Sequence, residues 1–443
     1  MILSNIKGAF PSFVTGQIAR HSGASFAVKL FSTACGFLFA VAAARLLGPR
    51  GYGIIAVATS VANITAIAAL LGTNGLAVRE VATLAARQAW RQLRGFVRWA
   101  SITVVGTSLA AALLVETSAF LMGPYSDALR VVAIMIPLIA MLYFLRGAVQ
   151  GLGRVVEAQV PLDVIRWVLL LSFIGILLFA GISVSPDQIL WILVASYAIS
   201  LLAAAGVLRR SLVSDARDEC THSSGRQWLA KSLPFLTVAL FGIVGIEINT
   251  LLLGSLAGPR DAGLYQPIAR LAPIMIVARK AIEMPLAPRI VSLWERGDRS
   301  GLQRLMRLSA FAYVLATAVM AAMILALSPY ILEAFGSEFA EYRDYLYWIA
   351  AAQIAGAATG AAPLFLAMVG SMRRRVQAQA VTLIVQGGLG VLLVPILGVV
   401  GAVISLTAAI LIWCLLHWYF AWRETGIDTS ALFAVRLIRG SKA

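Results

Sequence analysis

Long apolar stretches recur along the whole chain, and they constrain the fold more than any other feature. A helix that crosses the hydrocarbon core of a bilayer needs ~20 mostly apolar residues. Hydrophobic residues make up 60% of the 443-residue chain and charged residues 13%, whereas soluble domains have about 45–50% and about 25%. Twelve stretches meet the length requirement, at 23–46, 51–72, 100–122, 129–150, 160–182, 188–208, 233–256, 262–284, 308–330, 345–369, 377–397 and 399–421. The sequence therefore predicts an all-α membrane protein with about 12 transmembrane helices.

The basic residues predict how these helices are oriented. If the N-terminus is cytoplasmic, 30 of the 36 Lys and Arg residues fall on the inner side, five fall on the outer side, and Arg270 lies within a span. Positive residues are enriched in cytoplasmic loops. We therefore expect both termini in the cytoplasm, and we interpret the net charge of +16 as a topology signal that faces anionic membrane lipids. Nucleic acid is not an expected partner.

Enzymatic chemistry has little support in the sequence. The cysteines Cys35, Cys220 and Cys414 match no metal-binding spacing, and the three histidines are far apart. No phosphate-binding P-loop is present, and the outer loops are too short to hold a polymerase or ligase site. We expect no enzyme activity and no cofactor, with transport coupled to a proton or sodium gradient as one possibility.

An internal repeat divides the chain into two halves. Gly48-Pro49-Arg50 follows the first span and Gly258-Pro259-Arg260 follows the seventh, 210 positions later. Since six spans separate the copies, both halves insert with the same orientation, as in transporters built from parallel repeats around a midplane site. The prediction is two six-helix lobes around a central cavity. The expected parts are a cytoplasmic segment 1–22, an N-terminal lobe 23–208, a cytoplasmic linker 209–231, a C-terminal lobe 232–421 and a cytoplasmic tail 422–443.

Two local expectations follow from the loops. Each Gly-Pro-Arg loop has the residues of a tight turn, so we expect it to close a hairpin within its own lobe. Between the second and third spans, Arg87, Arg91, Arg94 and Arg98 recur at helical spacing. This pattern predicts an amphipathic helix over 81–99 at the cytoplasmic interface, with a plain solvated helix as the alternative.

Charges inside the membrane are costly and need an explanation. Glu247 and Arg270 lie at similar depths on the seventh and eighth spans. One interpretation is an ion pair that stabilises packing. The other places Arg270 in a water-filled cavity as a pyrophosphate ligand, because a guanidinium matches phosphate oxygens in a fork geometry. Asn249 and Gln266 are candidate neutral partners nearby.

Two cations on the first span, Lys29 and Arg45, lie nearer the membrane interfaces. Long basic side chains in such positions usually extend to water. Their interpretation from position alone is therefore interfacial anchoring.

Several runs of residues resemble a known family. The run 37–53 (FLFAVAAARLLGPRGYG), the run 72–80 (GTNGLAVRE) and the run 263–270 (GLYQPIAR) are similar to segments of the polysaccharide flippases. These belong to the multidrug/oligosaccharidyl-lipid/polysaccharide (MOP) exporter superfamily. The resemblance implies a bacterial inner-membrane flippase that moves a polyprenyl-pyrophosphate-linked oligosaccharide by alternating access, and it makes Lys29 and Arg45 candidate headgroup contacts. The two extra spans usual in lipid II flippases are not evident.

Two alternatives stay open at this point. A cation-coupled multidrug exporter of the same superfamily would have an acidic or aromatic cavity, and a membrane glycan polymerase or ligase would have a large outer loop. The partners implied by the resemblance are the lipid-linked glycan, membrane lipids and other polysaccharide assembly proteins.

Overall fold

The computed structural model describes residues 12–181, 184–212 and 225–431, and the regular structure in these ranges is helical throughout. The α-helices, in chain order, are α1 (Ser12–Ala69), α2 (Thr73–Ala86), α3 (Trp90–Ser118), α4 (Ser126–Gly151), α5 (Val155–Val160), α6 (Arg166–Phe179), α7 (Pro186–Ser211), α8 (Gly225–Leu256), α9 (Pro259–Ile274), α10 (Val277–Glu295), α11 (Arg299–Phe335), α12 (Ser337–Ala340), α13 (Asp344–Ala357), α14 (Ala362–Met368), α15 (Met372–Leu397) and α16 (Val399–Thr425). A 3₁₀ segment (Ala119–Tyr125) precedes α4, and a π-helical turn (Pro161–Ile165) joins α5 to α6. The predicted all-α class is confirmed.

Nine of these helices are long and apolar enough to cross a membrane, or ten when the bent pair α13 and α14 counts as one span, within the described ranges. One of the nine, Gly23–Ala69, is interrupted at Gly48, whose φ of 65° and ψ of 178° are not helical. Glycine tolerates such a φ, and the following Pro49 suits the first turn of the next helix. The eighth predicted span, 262–284, is broken between α9 and α10. The count of twelve stays a prediction.

The segment after the second span differs from its prediction. Instead of one amphipathic helix over 81–99, α2 ends at Ala86 and α3 begins at Trp90. Gln88 between them has a φ of 56°, which a right-handed helix does not contain. The arginine spacing ran across this break, so Arg91, Arg94 and Arg98 belong to the first turns of a spanning helix.

The chain forms two compact units. Unit 1 comprises Met1–Leu46 and Val61–Leu240, and unit 2 comprises Leu47–Ser60 and Phe241–Ala443. These units differ from the predicted lobes 23–208 and 232–421, because each unit takes a segment from the other half of the sequence. Two of the three boundaries fall inside α1 and the third falls inside α8.

Unit 2 brings the two repeated Gly-Pro-Arg loops together. A Cβ atom added at Gly53 would overlap the carbonyl oxygen of Pro259, and one added at Gly263 would overlap that of Pro49. Each glycine lies four residues after the proline of its own repeat, so the contact is reciprocal. The expectation that each loop closes only a local hairpin is therefore wrong. Backbones approach closely at small residues in membrane proteins, which explains why glycine occupies both positions.

The ends of the predicted segments are partly described. Within the predicted segment 1–22, α1 already begins at Ser12, while residues 1–11 lie outside the described part. The linker 209–231 is helical at 209–211 and from 225, and its residues 213–224, including Cys220, lie outside it as well. In the tail 422–443, α16 continues to Thr425 and residues 432–443 are not described.

Candidate functional site

The two predicted intramembrane charges, Glu247 on α8 and Arg270 on α9, both lie in unit 2. The Glu247 carboxylate accepts a hydrogen bond of 2.6 Å from the Ser60 hydroxyl. The exposed Arg270 guanidinium lies near the buried Tyr52 hydroxyl and interacts with it electrostatically. Both contacts are made with the part of α1 that follows the kink at Gly48. One interpretation of the sequence was instead a direct ion pair between Glu247 and Arg270.

The neutral candidates Asn249 and Gln266 hold helices together. Asn249 is 1% exposed and donates to the Ala402 carbonyl oxygen at 3.2 Å. It also accepts a hydrogen bond from Ser405. Gln266 donates to the Thr250 hydroxyl at 3.0 Å, and both side chains are buried. Buried polar side chains are normally satisfied in this way, so these two amides connect α8 to α9 and α16.

The span-one cations belong to unit 1, on the first part of α1. Arg45 is exposed near the end of this part, three residues before the kink at Gly48. Lys29 has 62% of its side chain exposed, and its ammonium nitrogen lies 3.7 Å from the carboxylate of Asp163. The structure thus connects one predicted cation to an acidic residue that sequence reasoning did not select.

Asp163 is the centre of a charged cluster in unit 1. Its side chain is 4% exposed and lies 3.2 Å from the Arg146 guanidinium, and it accepts a hydrogen bond of 3.3 Å from Ser32. The Ser32 hydroxyl accepts in turn from the Trp167 indole at 2.9 Å. Asp163 lies on the π-helical turn, a distortion that is frequent at functional sites.

Arg166 adds a third cation next to this cluster. Its guanidinium lies 4.1 Å from the centre of the Trp167 ring and 4.9 Å from that of Tyr197, and it donates to the Tyr197 hydroxyl at 2.9 Å. Cation–π contacts of this kind hold a guanidinium without neutralising it. We call Lys29, Arg146, Asp163 and Arg166 the cationic cluster of unit 1.

The cluster combines three cations with one carboxylate, so it retains a net positive charge. Such an arrangement attracts anions, and arginine in particular binds phosphate oxygens in a bidentate manner. Sequence reasoning missed Arg146, Asp163 and Arg166 because all three lie toward the inner ends of the predicted spans, where charges need no explanation. Asp163 is the only acidic residue between 158 and 186, and that isolation was the available signal.

One further intramembrane cation has a structural role. Arg279 is 9% exposed and donates to the Thr317 hydroxyl at 2.9 Å and to the Gln353 carbonyl oxygen at 2.7 Å. Its guanidinium therefore connects α10 to α11 and α13. Among the described residues, no group of three His, Cys, Asp or Glu side chains is placed to hold a metal ion.

Comparison with known proteins identifies the family of this chain. Residues 18–294 match the profile of the family described as polysaccharide biosynthesis protein. A comparison with curated protein sequences gives no match.

Solved structures share the fold. An inward-facing multidrug resistance MATE family transporter of the MOP superfamily superposes with a TM-score of 0.72 at 14% identity, covering 90% of this chain and 97% of that chain. A MOP superfamily transporter from Pyrococcus furiosus, described as having a binding pocket of reverse polarity, gives 0.62 at 15% identity, with 90% and 95% covered. An outward-facing MATE transporter gives 0.58 at 16% identity, with 91% and 95% covered. At these identities the likeness is one of fold.

Proposed function

The chain belongs to the polysaccharide biosynthesis protein family of the MOP superfamily of membrane transporters, and from this premise we propose that it is a flippase for a lipid-linked oligosaccharide. The substrate would carry a polyprenyl pyrophosphate, and the membrane would be the bacterial inner membrane. The polar head would pass through the protein by alternating access while the polyprenyl tail stays in the lipid. A midplane site between structural repeats is the general arrangement in such transporters.

The observation that carries this proposal is the cationic cluster of unit 1. A pyrophosphate needs several positive groups at once, and Arg146 and Arg166 offer two guanidinia on neighbouring helices with Lys29 beside them. Asp163 would act as an internal counter-anion that holds these cationic side chains in position when no substrate is bound. The substrate phosphate would then replace the carboxylate as their partner.

Unit 2 holds a further candidate cation. Arg270 is exposed and lies beside Tyr52, a neutral group that leaves its positive charge in place. In this proposal Arg270 contacts the anionic head of the substrate. Glu247, hydrogen-bonded to Ser60, and Asp163 are the carboxylates through which a proton or sodium gradient would be coupled.

A multidrug exporter is the second candidate, because this chain shares the fold of MATE transporters. Cationic drugs would be repelled by three cations around one carboxylate, since like charges disfavour binding in a site of low dielectric constant. The charge of the unit 1 cluster therefore favours an anionic substrate.

Reconstitution tests the proposal directly. Purified protein is inserted in vesicles that contain a fluorescent polyprenyl-pyrophosphate saccharide, and the fraction that reaches the far leaflet is measured with a membrane-impermeant quencher. We expect the wild-type protein to make the saccharide accessible, and Arg146→Gln with Arg166→Gln to slow this by at least about tenfold, because charge-assisted hydrogen bonds are lost.

The matched control is Arg209→Gln with Arg210→Gln, two exposed arginines at the end of α7. This variant removes the same charge and should transport like the wild-type protein. If the wild-type protein leaves the saccharide in place but moves an organic cation such as ethidium down an applied gradient, the exporter is the correct function and the flippase proposal is wrong.

A further inference from the structure

A groove between α10 and α11 in unit 2 has no role in the proposed transport. It consists of two neighbouring cavities of about 410 Å³ and about 190 Å³. Arg289, Leu305 and Leu308 line both of them, so the cavities form one continuous groove along the two helices.

The polarity of the lining changes along the length of the groove. Ser292, Leu293 and Gly301 lie at the end nearest the turn between the helices. About one helical turn further in, Arg289 and Arg304 face the larger cavity. Beyond them the lining is mostly apolar and contains Ile282, Pro285, Leu286, Leu305, Leu308 and Ala312. Ser309 also lines it, and its hydroxyl donates to the Met306 carbonyl oxygen. A pair of cations followed by a mostly apolar run matches an amphiphile with an anionic head.

The two arginines are available to an anion. Both are exposed, and within residues 12–181, 184–212 and 225–431 neither has a hydrogen bond or an ion pair. The nearby acidic residue Asp298 caps α11 by accepting hydrogen bonds of 2.8 Å from the Gly301 amide and the Ser300 hydroxyl. These bonds lower the pKa of Asp298 and direct its carboxylate toward the helix end.

The dimensions of the groove indicate which lipid it fits. From Gly301 to Ala312 the helix rises by about 16 Å at 1.5 Å per residue. This is roughly half of the ~30 Å hydrocarbon thickness of a bilayer, which is the depth of one leaflet. The exposed apolar side chain of Leu308, at 68%, lies where an acyl chain would run.

We propose that this groove is a specific site for an anionic phospholipid, with the phosphate between Arg289 and Arg304 and one acyl chain along Leu305 and Leu308. A guanidinium pair binds a phosphate through charge-assisted hydrogen bonds. The bound acyl chain would cover the apolar side chains of the groove. A phospholipid fits the groove because its chains end within one leaflet. None of the residues of this groove belongs to the cationic cluster of unit 1. The experiments below use the full-length protein.

Native mass spectrometry measures this binding. Protein in mixed micelles with equal amounts of phosphatidylglycerol and phosphatidylcholine should retain one phosphatidylglycerol in preference. Arg289→Gln with Arg304→Gln should lower that preference by at least about tenfold, since both charge-assisted contacts are removed. The matched control, Arg296→Gln with Arg299→Gln, removes the same charge from exposed positions of the adjoining turn and should keep the preference.

A second variant tests the chain-binding part. Ala312→Trp fills the apolar end of the groove, and it should weaken retention of dioleoyl phosphatidylglycerol while leaving dihexanoyl phosphatidylglycerol unaffected. Thermal unfolding of each variant checks that it is folded. The proposal is overturned if the Arg289 and Arg304 variant keeps the preference, if the control loses it equally, or if inorganic phosphate displaces the lipid at comparable concentration.

Discussion

Asp163 shows how one side chain organises a group of cations. It lies on a π-helical turn of unit 1, with Lys29 and Arg146 on two other helices. Removing one member of a buried ion pair costs about 3–5 kcal/mol because the remaining charge is left buried without a partner. Here Lys29 is 62% exposed and Arg146 is 23% exposed, so water compensates part of this loss.

We therefore predict that Asp163→Asn lowers the free energy of unfolding by roughly 1–3 kcal/mol, below the range for a fully buried pair. Thermal unfolding in detergent, followed by circular dichroism, measures this. Asp127→Asn is the control, because its pair with Arg130 is exposed on both sides at 79% and 56% and such pairs contribute little. Equal destabilisation by both substitutions would contradict the role given to Asp163.

At the scale of helices, the reciprocal contact between the repeated loops makes a strong prediction. Gly53 and Gly263 have no room for a Cβ atom against the carbonyl oxygens of Pro259 and Pro49. Gly53→Ala and Gly263→Ala should each destabilise the protein by about 1–3 kcal/mol, as overpacking does elsewhere. The measurement is the unfolding temperature of each variant in detergent.

Gly388 on α15 is the matched control, because nothing lies within 4 Å of a Cβ added there. Gly388→Ala should be neutral or should stabilise the helix by up to about 1 kcal/mol. A loss at Gly388 as large as that at Gly53 would show that an added methyl group destabilises the protein even where nothing contacts it, and the close contact would then not explain the effect.

The break between α13 and α14 depends on the tail that follows α16. The two helices meet at an angle of 44°, and such a break interrupts the backbone hydrogen bonds along a helix. The Ala431 amide donates to the Ala358 carbonyl oxygen at 2.7 Å, and the Thr429 hydroxyl donates to that of Thr359 at 2.8 Å. Unsatisfied backbone groups in lipid cost several kcal/mol each, so the tail stabilises the bend.

Truncation tests this contribution. Ending the chain after Gly426 should lower the unfolding temperature clearly, whereas ending it after Ala431 keeps both hydrogen bonds and should have little effect. The comparison uses purified proteins in the same detergent. If the two truncated proteins unfold at the same temperature, the tail does not support the break.

For the whole molecule, the distribution of basic residues predicts the orientation of the chain in the membrane. Both termini and the loop around Cys220 should be cytoplasmic. Cys35 and Cys414 are buried, so they should be protected from reagents in the folded protein. An impermeant maleimide should therefore label inside-out vesicles strongly and intact spheroplasts weakly, and Cys220→Ser should abolish the signal. Strong labelling of spheroplasts that depends on Cys220 would show that the chain has the opposite orientation.

Local patterns in the sequence determined the helical class, most of the spans and the family, because apolar length, turn residues and short motifs depend only on neighbouring positions. They also located Lys29, which the structure joins to Asp163. The count of spans was less certain, since a kink such as that at Gly48 and a break such as that between α9 and α10 depend on packing around them.

Tertiary structure alone decided which distant residues meet. The cationic cluster brings Lys29 to Arg146 and Asp163, which lie more than a hundred positions later in the chain, and no spacing rule connects them. In the same way, Asn249 and Gln266 have the composition of a binding site, but the structure gives them helix partners. The physical reason is that a charge or an amide in a span must be satisfied by whatever helix packs beside it, and that neighbour is set by the packing of the whole fold.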